Sequence, residues 1–328
     1  MLFGRTLPQV AAMLGDLGEE AAKMGLEIHF GKTKILSNAT NRRGVSAARE
    51  VNVAGNKVEV LQPGESVAYL GRCLVFQDFD DREIEHRVTR GWAKFSVYKG
   101  ELCDKRYSLL HRLKLFNAVV TPTVLYGAEC WTMTAGREQK LKVAQRRMLR
   151  KMLGSGRRAK PEGAGEQHEE TEPEGADAGQ GVGSKSSSDN DVSSEDDDDS
   201  QGAEEADDED KKDKESWVEW MRRTARVACL AMEKANVPDW VEEQRRRKWR
   251  WAGHIMRRDD MRWSWRFALW EPFTRGSRNV GRPARRWEDI LEKFGSTRDF
   301  SWKDLARDSR EDRGIWKRQE ADFVKTQA

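Results

Sequence analysis

Cysteines and long apolar runs are scarce in this chain, and both shortages exclude whole classes of protein. The four cysteines among its 328 residues lie far apart and form no CxxC pair. That spacing argues against a zinc ribbon or knuckle and against a disulfide-stabilised secreted scaffold. No apolar run approaches the roughly 20 residues that a membrane-spanning helix needs, and no signal peptide follows Met1. We therefore expect an intracellular protein without a membrane partner and without a metal site of its own.

Charge is segregated along the chain, although the net charge of +3 hides it. Residues 161–215 contain 22 acidic and four basic residues, a net of −18, so the rest of the chain carries +21. A body this basic exceeds what solubility requires and points to RNA or DNA as the partner. Charged residues make up 35% of the chain and hydrophobic residues only 37%. This balance predicts that part of the chain does not fold on its own.

Hydropathy patterns divide the chain into five parts and predict an α+β fold. Residues 1–79 combine one amphipathic helix with short β segments, which predicts a helix packed on a small antiparallel sheet. Residues 80–154 show helical periodicity, including a helix that Thr134 could cap. Residues 155–215 are rich in Gly, Ser, Glu and Asp and are predicted to be a disordered acidic linker, which offers a surface for protein partners. Residues 216–295 are basic, rich in Trp and mostly helical, and residues 296–328 form a charged tail.

Four short motifs stand out in the first half of the chain, and their order along the sequence is informative. They are GLEIHFGKTKIL at 25–36, VAYLGRCL at 67–74, LYGAECW at 125–131 and VAQRRMLRKML at 143–153. Together they resemble the end of the palm and the thumb of reverse transcriptases from non-LTR (LINE-type) retrotransposons. WRWAGHIMR at 249–257 and GRPARRWEDI at 281–290 resemble the region that follows the thumb in such proteins. The resemblance implies a palm end at 1–79, a thumb at 80–154 and the C-terminal region of that family at 216–295.

The intact family is an RNA-directed DNA polymerase that uses Mg²⁺ held by an Asp-Asp pair. In the family that pair directly precedes a segment like MLFGR, with which this sequence begins. We therefore expect a catalytically incomplete chain that binds RNA, DNA or both and has no cofactor of its own. The resemblance also implies a nuclear rather than a cytoplasmic location.

Five residues of the palm-like part carry roles implied by the resemblance. Lys32 is the first candidate and Lys34 the second for a proton donor to the leaving pyrophosphate, which needs a cation close to the triphosphate. Tyr69, Leu70 and Gly71 correspond to the hairpin that grips the end of the primer. The alternative for the lysines is a solvated surface pair, and for the Tyr-Leu-Gly segment an ordinary buried strand.

Two basic clusters are candidates for phosphate contacts, because Lys and Arg on a helical face suit a nucleic-acid backbone. The thumb-like cluster consists of Arg146, Arg147, Arg150 and Lys151. The Trp-rich cluster consists of Arg245, Arg246, Arg247, Lys248, Trp249 and Arg250, in which the indole could stack on an unpaired base. The alternatives are a solvated basic face for the first cluster and tryptophans that belong to the core for the second.

A second class of function stays open at this point. A domesticated adaptor could recruit partners through the acidic linker and the basic ends of the chain. A third alternative is a pseudogene translation without a selected role.

Overall fold

The computed structural model describes residues 1–38, 48–62, 64–76, 78–154, 156–158, 214–258, 260, 262–268 and 285–326. The chain divides into two compact units, one of Met1–Gly154 with Val227–Ala328 and one of Ser155–Arg226. Most of the predicted acidic linker lies outside the described residues, so its disorder and its role in recruiting partners stay predictions.

The first part of the chain is a helix on a three-stranded sheet, followed by a separate hairpin. Its elements are α1 (Leu7–Lys23), β1 (Lys34–Leu36), β2 (Glu50–Val53), β3 (Asn56–Leu61), β4 (Val67–Tyr69) and β5 (Arg72–Leu74). The helix begins where Thr6 accepts a hydrogen bond from the backbone N–H of Gln9, with Pro8 in the first turn. Both features favour a helix start.

The strand order in the sheet is β1-β3-β2. The β2–β3 pair is antiparallel, as predicted, but β1 runs parallel to β3, so the sheet is mixed. Ala54 and Gly55 connect β2 to β3 with φ values of 49° and 81°. A two-residue turn with two positive φ angles matches the twist of a hairpin. The α+β class is confirmed, and Leu14 of α1 packs with strand residues in a small core.

A helical bundle follows the β segments. It contains α2 (Phe79–Val97), α3 (Lys99–Cys103), α4 (Leu109–Val119), α5 (Thr121–Val124) and α6 (Ala135–Leu153), with a 3₁₀ turn at Ala128–Cys130. Thr134 caps α6 by accepting a hydrogen bond from the N–H of Arg137, as the sequence predicts. Leu141, Met148 and Met152 of α6 are buried against the other helices.

The predicted boundary between the thumb-like and Trp-rich parts does not separate two cores. The later helices are α7 (Trp217–Ala235), α8 (Trp240–Arg257), α9 (Trp263–Ala268), α10 (Asp289–Ser296), α11 (Trp302–Asp308), α12 (Arg313–Arg318) and α13 (Glu320–Lys325). Trp240 stacks on Phe116 of α4 with centroids 5.8 Å apart, and its indole N–H donates to Thr121 Oγ1 at 3.0 Å. Residues 80–154 and the start of α8 therefore share one core.

The predicted charged tail is a folded part of the molecule. Trp302, Trp316 and Phe323 are buried in a second core around Trp249. The Trp249 and Trp316 rings stack 3.8 Å apart, and each indole N–H donates to the backbone carbonyl of the other residue at 3.1 Å. The prediction of a tail over 296–328 is corrected, because short helices carry these aromatic side chains inward.

Candidate nucleic-acid interface

The β4–β5 hairpin is fixed to α2 by one buried carboxylate. Glu83 has no exposed side-chain surface and accepts a hydrogen bond from the backbone N–H of Cys73 in β5 at 2.6 Å. Its other oxygen accepts from Arg87 Nε at 2.9 Å and lies 3.4 Å from Arg72 Nε. A buried carboxylate needs such partners to offset its desolvation. The position of the hairpin therefore depends on a charge network.

Two further contacts hold the tip of the hairpin. Arg87 donates to the carbonyl of Gly71, and the hydroxyl of Tyr126 donates to the carbonyl of Leu70 at 3.2 Å. The Arg87 guanidinium lies over the Tyr126 ring, 4.4 Å from its centroid. Leu70 and Gly71 have φ values of 48° and 79° and form the tight turn that joins β4 to β5.

The hairpin tip presents its predicted residues to solvent. Tyr69 is 42% exposed and Leu70 75% exposed, although both carry large apolar groups. The alternative of an ordinary buried strand is therefore corrected. An open groove of about 710 Å³ runs beside the tip. Its walls include Tyr69, Leu70, Tyr126 and the cationic side chains of Arg72 and Arg247.

The α6 cluster of cations lies on the solvent side of the bundle. Arg146, Arg147 and Lys151 are exposed and Arg150 is half-buried. Among the described residues, no carboxylate forms an ion pair with any of the four. Burial and the charges of Arg147 and Arg146 lower the pKa of Arg150. Four crowded cations without acidic partners make a site that attracts anions.

An aromatic side chain extends this cationic face. The Arg147 guanidinium lies 5.8 Å and the Lys151 ammonium 5.2 Å from the ring centroid of Trp92 on α2. Trp92, Val88 and Val143 also line a groove of about 510 Å³ between α2 and α6. The face thus combines cations with an indole, which suits a polyanion that carries flat bases.

The Trp-rich cluster on α8 has a different environment, because its arginines are neutralised inside the protein. Arg245 is buried and pairs with Glu138 at 2.6 Å. Arg246 and Arg247 pair with Glu243 at 2.7 and 3.0 Å. Arg250 pairs with Glu320 at 2.8 Å. These four arginines already have carboxylate partners, so a phosphate would have to displace a carboxylate to bind them, and their phosphate contacts stay a prediction.

The last two members of that cluster are interior residues. Trp249 is fully buried, and Lys248 is 1% exposed with its ammonium donating to the carbonyl of Trp131 at 3.1 Å. A buried indole cannot stack on a base, so the role predicted for Trp249 is corrected. Burial lowers the pKa of Lys248 to about 7, although Asp80, Cys130 and Asp289 act in the opposite direction.

Lys32 and Lys34, the two lysines of the palm-like part, lie at the surface, unlike the buried Lys248. Lys32 is exposed at the end of a 3₁₀ turn (Phe30–Lys32), and Lys34 in β1 pairs with Glu59 of β3 at 2.9 Å. The structure brings neither lysine to a described carboxylate cluster. Their proton-donor role stays a prediction from the resemblance.

The described residues offer no carboxylate set for the Mg²⁺ that the resemblance implies for the intact family. No group of three or more His, Cys, Asp or Glu side chains in the described ranges could hold a metal ion. Asp80 and Asp81 at the start of α2 are instead bound by Arg137, at 3.3 and 2.6 Å. In the same part of the chain, no helix is long and apolar enough to span a bilayer.

Three residues that build this surface were not among the sequence candidates. Glu83 and Arg87 have the i, i+4 spacing of a helical ion pair, but that spacing does not reveal burial. Trp92 has the spacing of a core-facing position on an amphipathic helix, which does not reveal its contacts with cations of α6. Their importance follows from tertiary contacts with β5, Gly71 and α6.

Comparison with known proteins gives one relative. The chain is 25% identical over 308 residues to the Caenorhabditis elegans protein named "Putative uncharacterized transposon-derived protein F52C9.6". The match spans 91% of this chain and 85% of the nematode protein. No protein-family model matches the chain, and no solved structure matches it. The similarity fits a transposon-related origin.

Proposed function

We propose that this protein is part of a LINE-type reverse transcriptase and that it binds nucleic acid through α6 and the β4–β5 hairpin. The relative with a transposon-derived name supports the origin, and the ordered motifs support the narrower family. The binding role follows from the described side chains. RNA, DNA or a hybrid of the two presents the same repeating phosphate charge to them.

One contrast carries the proposal: among the described residues, the four cations of the α6 cluster (Arg146, Arg147, Arg150 and Lys151) have no acidic partner, whereas Arg245, Arg246, Arg247 and Arg250 of α8 each have one. Arg146 and Arg147 are exposed, and neither has a described carboxylate at ion-pair distance; the Arg147 guanidinium also lies near the Trp92 ring. Arg246 and Arg250 contact Glu243 and Glu320. A phosphate bound to α6 would replace water and counterions, while one bound to α8 would have to compete with a carboxylate.

The hairpin adds a rigid contact to the proposed surface. Glu83 and Arg87 fix the backbone of the turn, so exposed Tyr69 and Leu70 are held in place at low entropic cost. Preorganised apolar and aromatic groups of this kind suit the end of a strand, where a base is open to stacking. In this proposal α6 binds the backbone and the hairpin contacts the strand end.

Salt-dependent oligonucleotide binding tests the proposal on the whole chain. Fluorescence anisotropy with a labelled RNA–DNA duplex would give the slope of log K against log salt concentration. For Arg146→Gln/Arg147→Gln we expect a slope about 1.4–1.8 units shallower, because each of the two lost phosphate contacts contributes about 0.7–0.9. Arg246→Gln/Arg250→Gln, matched in number and chemistry, should keep the wild-type slope.

The comparison between the two double variants decides the outcome. Equal losses in both would show that charge number alone controls binding, and the α6 assignment would be wrong. Unchanged affinity in the α6 variant, with wild-type binding intact, would also overturn the assignment. Circular dichroism of each variant checks that the helices are retained.

A further inference from the structure

The second motif of the Trp-rich region packs beside the buried Lys248. Lys248 directly precedes the WRWAGHIMR motif on α8, and Trp287 of the GRPARRWEDI motif lies 39 positions later in the chain. The Lys248 ammonium lies 5.2 Å from the centroid of the Trp287 ring. The Trp287 indole N–H donates to the carbonyl of Glu129 at 2.7 Å, which ties the second motif to the 3₁₀ turn after α5.

A small cavity opens beside this contact. Its volume is about 90 Å³, and its charged lining consists of Lys248, Arg285, Arg286, Asp289 and Lys293. About 10–15 Å³ of cavity volume open to a water-sized sphere is enough to hold one water. This cavity therefore has room for several waters or for a phosphate-sized anion. Four of the five charged lining residues are basic.

Three of the four cations of this cavity lack an ion-pair partner among the described residues. No described carboxylate forms an ion pair with Lys248, Arg285 or Arg286. The one acidic lining residue, Asp289, accepts a hydrogen bond from the backbone N–H of Arg286 at 2.8 Å. Arg285 donates to the carbonyl of Met133 at 3.3 Å, which leaves further guanidinium N–H groups for a ligand.

The cavity also adjoins the first turn of α10. Asp289 and Ile290 of that turn line it. The start of a helix carries partial positive charge, which favours a bound anion. Lys248 is an unusual residue to bury without a carboxylate, since an isolated buried charge is costly. The low pKa of its ammonium reflects that cost, and a bound anion would reduce the cost and raise the pKa.

The geometry points to a phosphate-binding site in this cavity, in which Lys248, Arg285 and Arg286 bind the oxygens of a phosphate group. The phosphate comes either from the end of a nucleic-acid strand or from a free anion. The site is separate from α6, so it does not depend on the use proposed for that helix. It gives Arg285 and Arg286 of the GRPARRWEDI motif a chemical task.

Calorimetric titration of the full chain with inorganic phosphate tests the site. We expect binding in the wild type and a loss of about 10-fold or more for Arg286→Gln, because a hydrogen bond to a charged group contributes about 1.5–3 kcal/mol. Arg285→Gln should behave in the same way. Arg307→Gln, which removes an exposed arginine of α11 paired with Asp304, should stay within about twofold of the wild type.

The NMR signal of Lys248 tests the site in the wild-type protein, so the test does not depend on variants that could fail to fold. In protein labelled with ¹³C-lysine, the Cε resonance absent from Lys248→Met identifies this residue. Phosphate should move that resonance in the wild type and in Arg307→Gln. An unmoved resonance together with no heat of binding would overturn the site.

Two oligonucleotides distinguish the sources of the phosphate. A preference for a 5′-phosphorylated strand over a 5′-hydroxyl strand, removed by Arg286→Gln, would identify a strand end. Equal affinities for the two strands, with inorganic phosphate still bound, would identify a free anion. The two proposals can also fail separately. If the protein binds inorganic phosphate but the α6 double variant keeps wild-type oligonucleotide affinity, the proposed function is wrong and this site remains.

Discussion

Replacing Glu83 by Gln should lower the free energy of unfolding far more than replacing an exposed acidic residue of the same helix. The substitution keeps the size of the side chain and one oxygen that can accept from the N–H of Cys73. It removes the negative charge from a position with no exposed surface, next to Arg87 and Arg72. Breaking a buried ion pair by removing one partner costs about 3–5 kcal/mol, because the other charge stays buried. We expect a loss of about 3 kcal/mol in the free energy of unfolding.

Glu85→Gln is the matched control, two positions away on α2. Glu85 pairs with Lys140 at 2.8 Å, but both side chains are about half exposed. Exposed pairs contribute about 0–1 kcal/mol, so this variant should stay within that range. Urea unfolding followed by circular dichroism measures both variants, and hydrogen exchange of the N–H of Cys73 reports on the hairpin directly.

A second substitution separates the charge network from simple packing. Glu83→Gln/Arg87→Met removes the unpaired guanidinium as well as the carboxylate, so it should recover part of the lost stability. A Glu83→Gln variant as stable as Glu85→Gln would refute the view that this carboxylate fixes the hairpin. The view would also be refuted if the double variant lost at least as much free energy of unfolding as Glu83→Gln and Arg87→Met lose together when measured singly.

Two further predictions concern buried positions of the bundle and of α8. The unfolded chain protonates Lys248 with a pKa near 10.5, whereas the folded chain does so only near 7, so this residue makes stability rise with pH between those values. Lys248→Met should lose that component, which unfolding at pH 7 and pH 9 in phosphate-free buffer measures; an identical pH dependence in both proteins would contradict it. Gly91 of α2 lies against Val124, and a Cβ added there would meet the Val124 side chain. Gly91→Ala should therefore destabilise by about 1–3 kcal/mol despite the better helix propensity of Ala, and a rise in the melting temperature would contradict this.

Local features of the fold could be predicted wherever the cause lies within a few residues. The cap at Thr134 follows from its hydroxyl group, and Gly55 favours a turn between β2 and β3. The turn at Leu70 was harder, because a leucine with positive φ is not a usual turn residue. Contacts of Gly71 and Leu70 with Arg87 and Tyr126 hold that conformation, and they join positions far apart in the chain.

The Trp-rich cluster shows the opposite case, because the partners of its side chains are remote in sequence. Arg245 is neutralised by Glu138, which is 107 positions away, and Trp249 is buried against Trp316, which is 67 positions away. A run of Arg, Lys and Trp gives the same local pattern whether it faces solvent or the interior. Short helices of six or seven residues, such as α12 and α13, also give too little periodicity to predict which side is buried.

The pairing of charges therefore decides how the net positive charge of the body should be interpreted. Residues outside 161–215 carry +21, but many of those cations have acidic partners inside the fold. If only the four α6 cations bind phosphates, a duplex should give a slope of log K against log salt of about −3 to −4. A slope twice as steep would mean that Arg246, Arg247 and Arg250 leave Glu243 and Glu320 when nucleic acid binds. The salt dependence of the wild type alone thus distinguishes a localised interface from a rearrangement of the C-terminal helices.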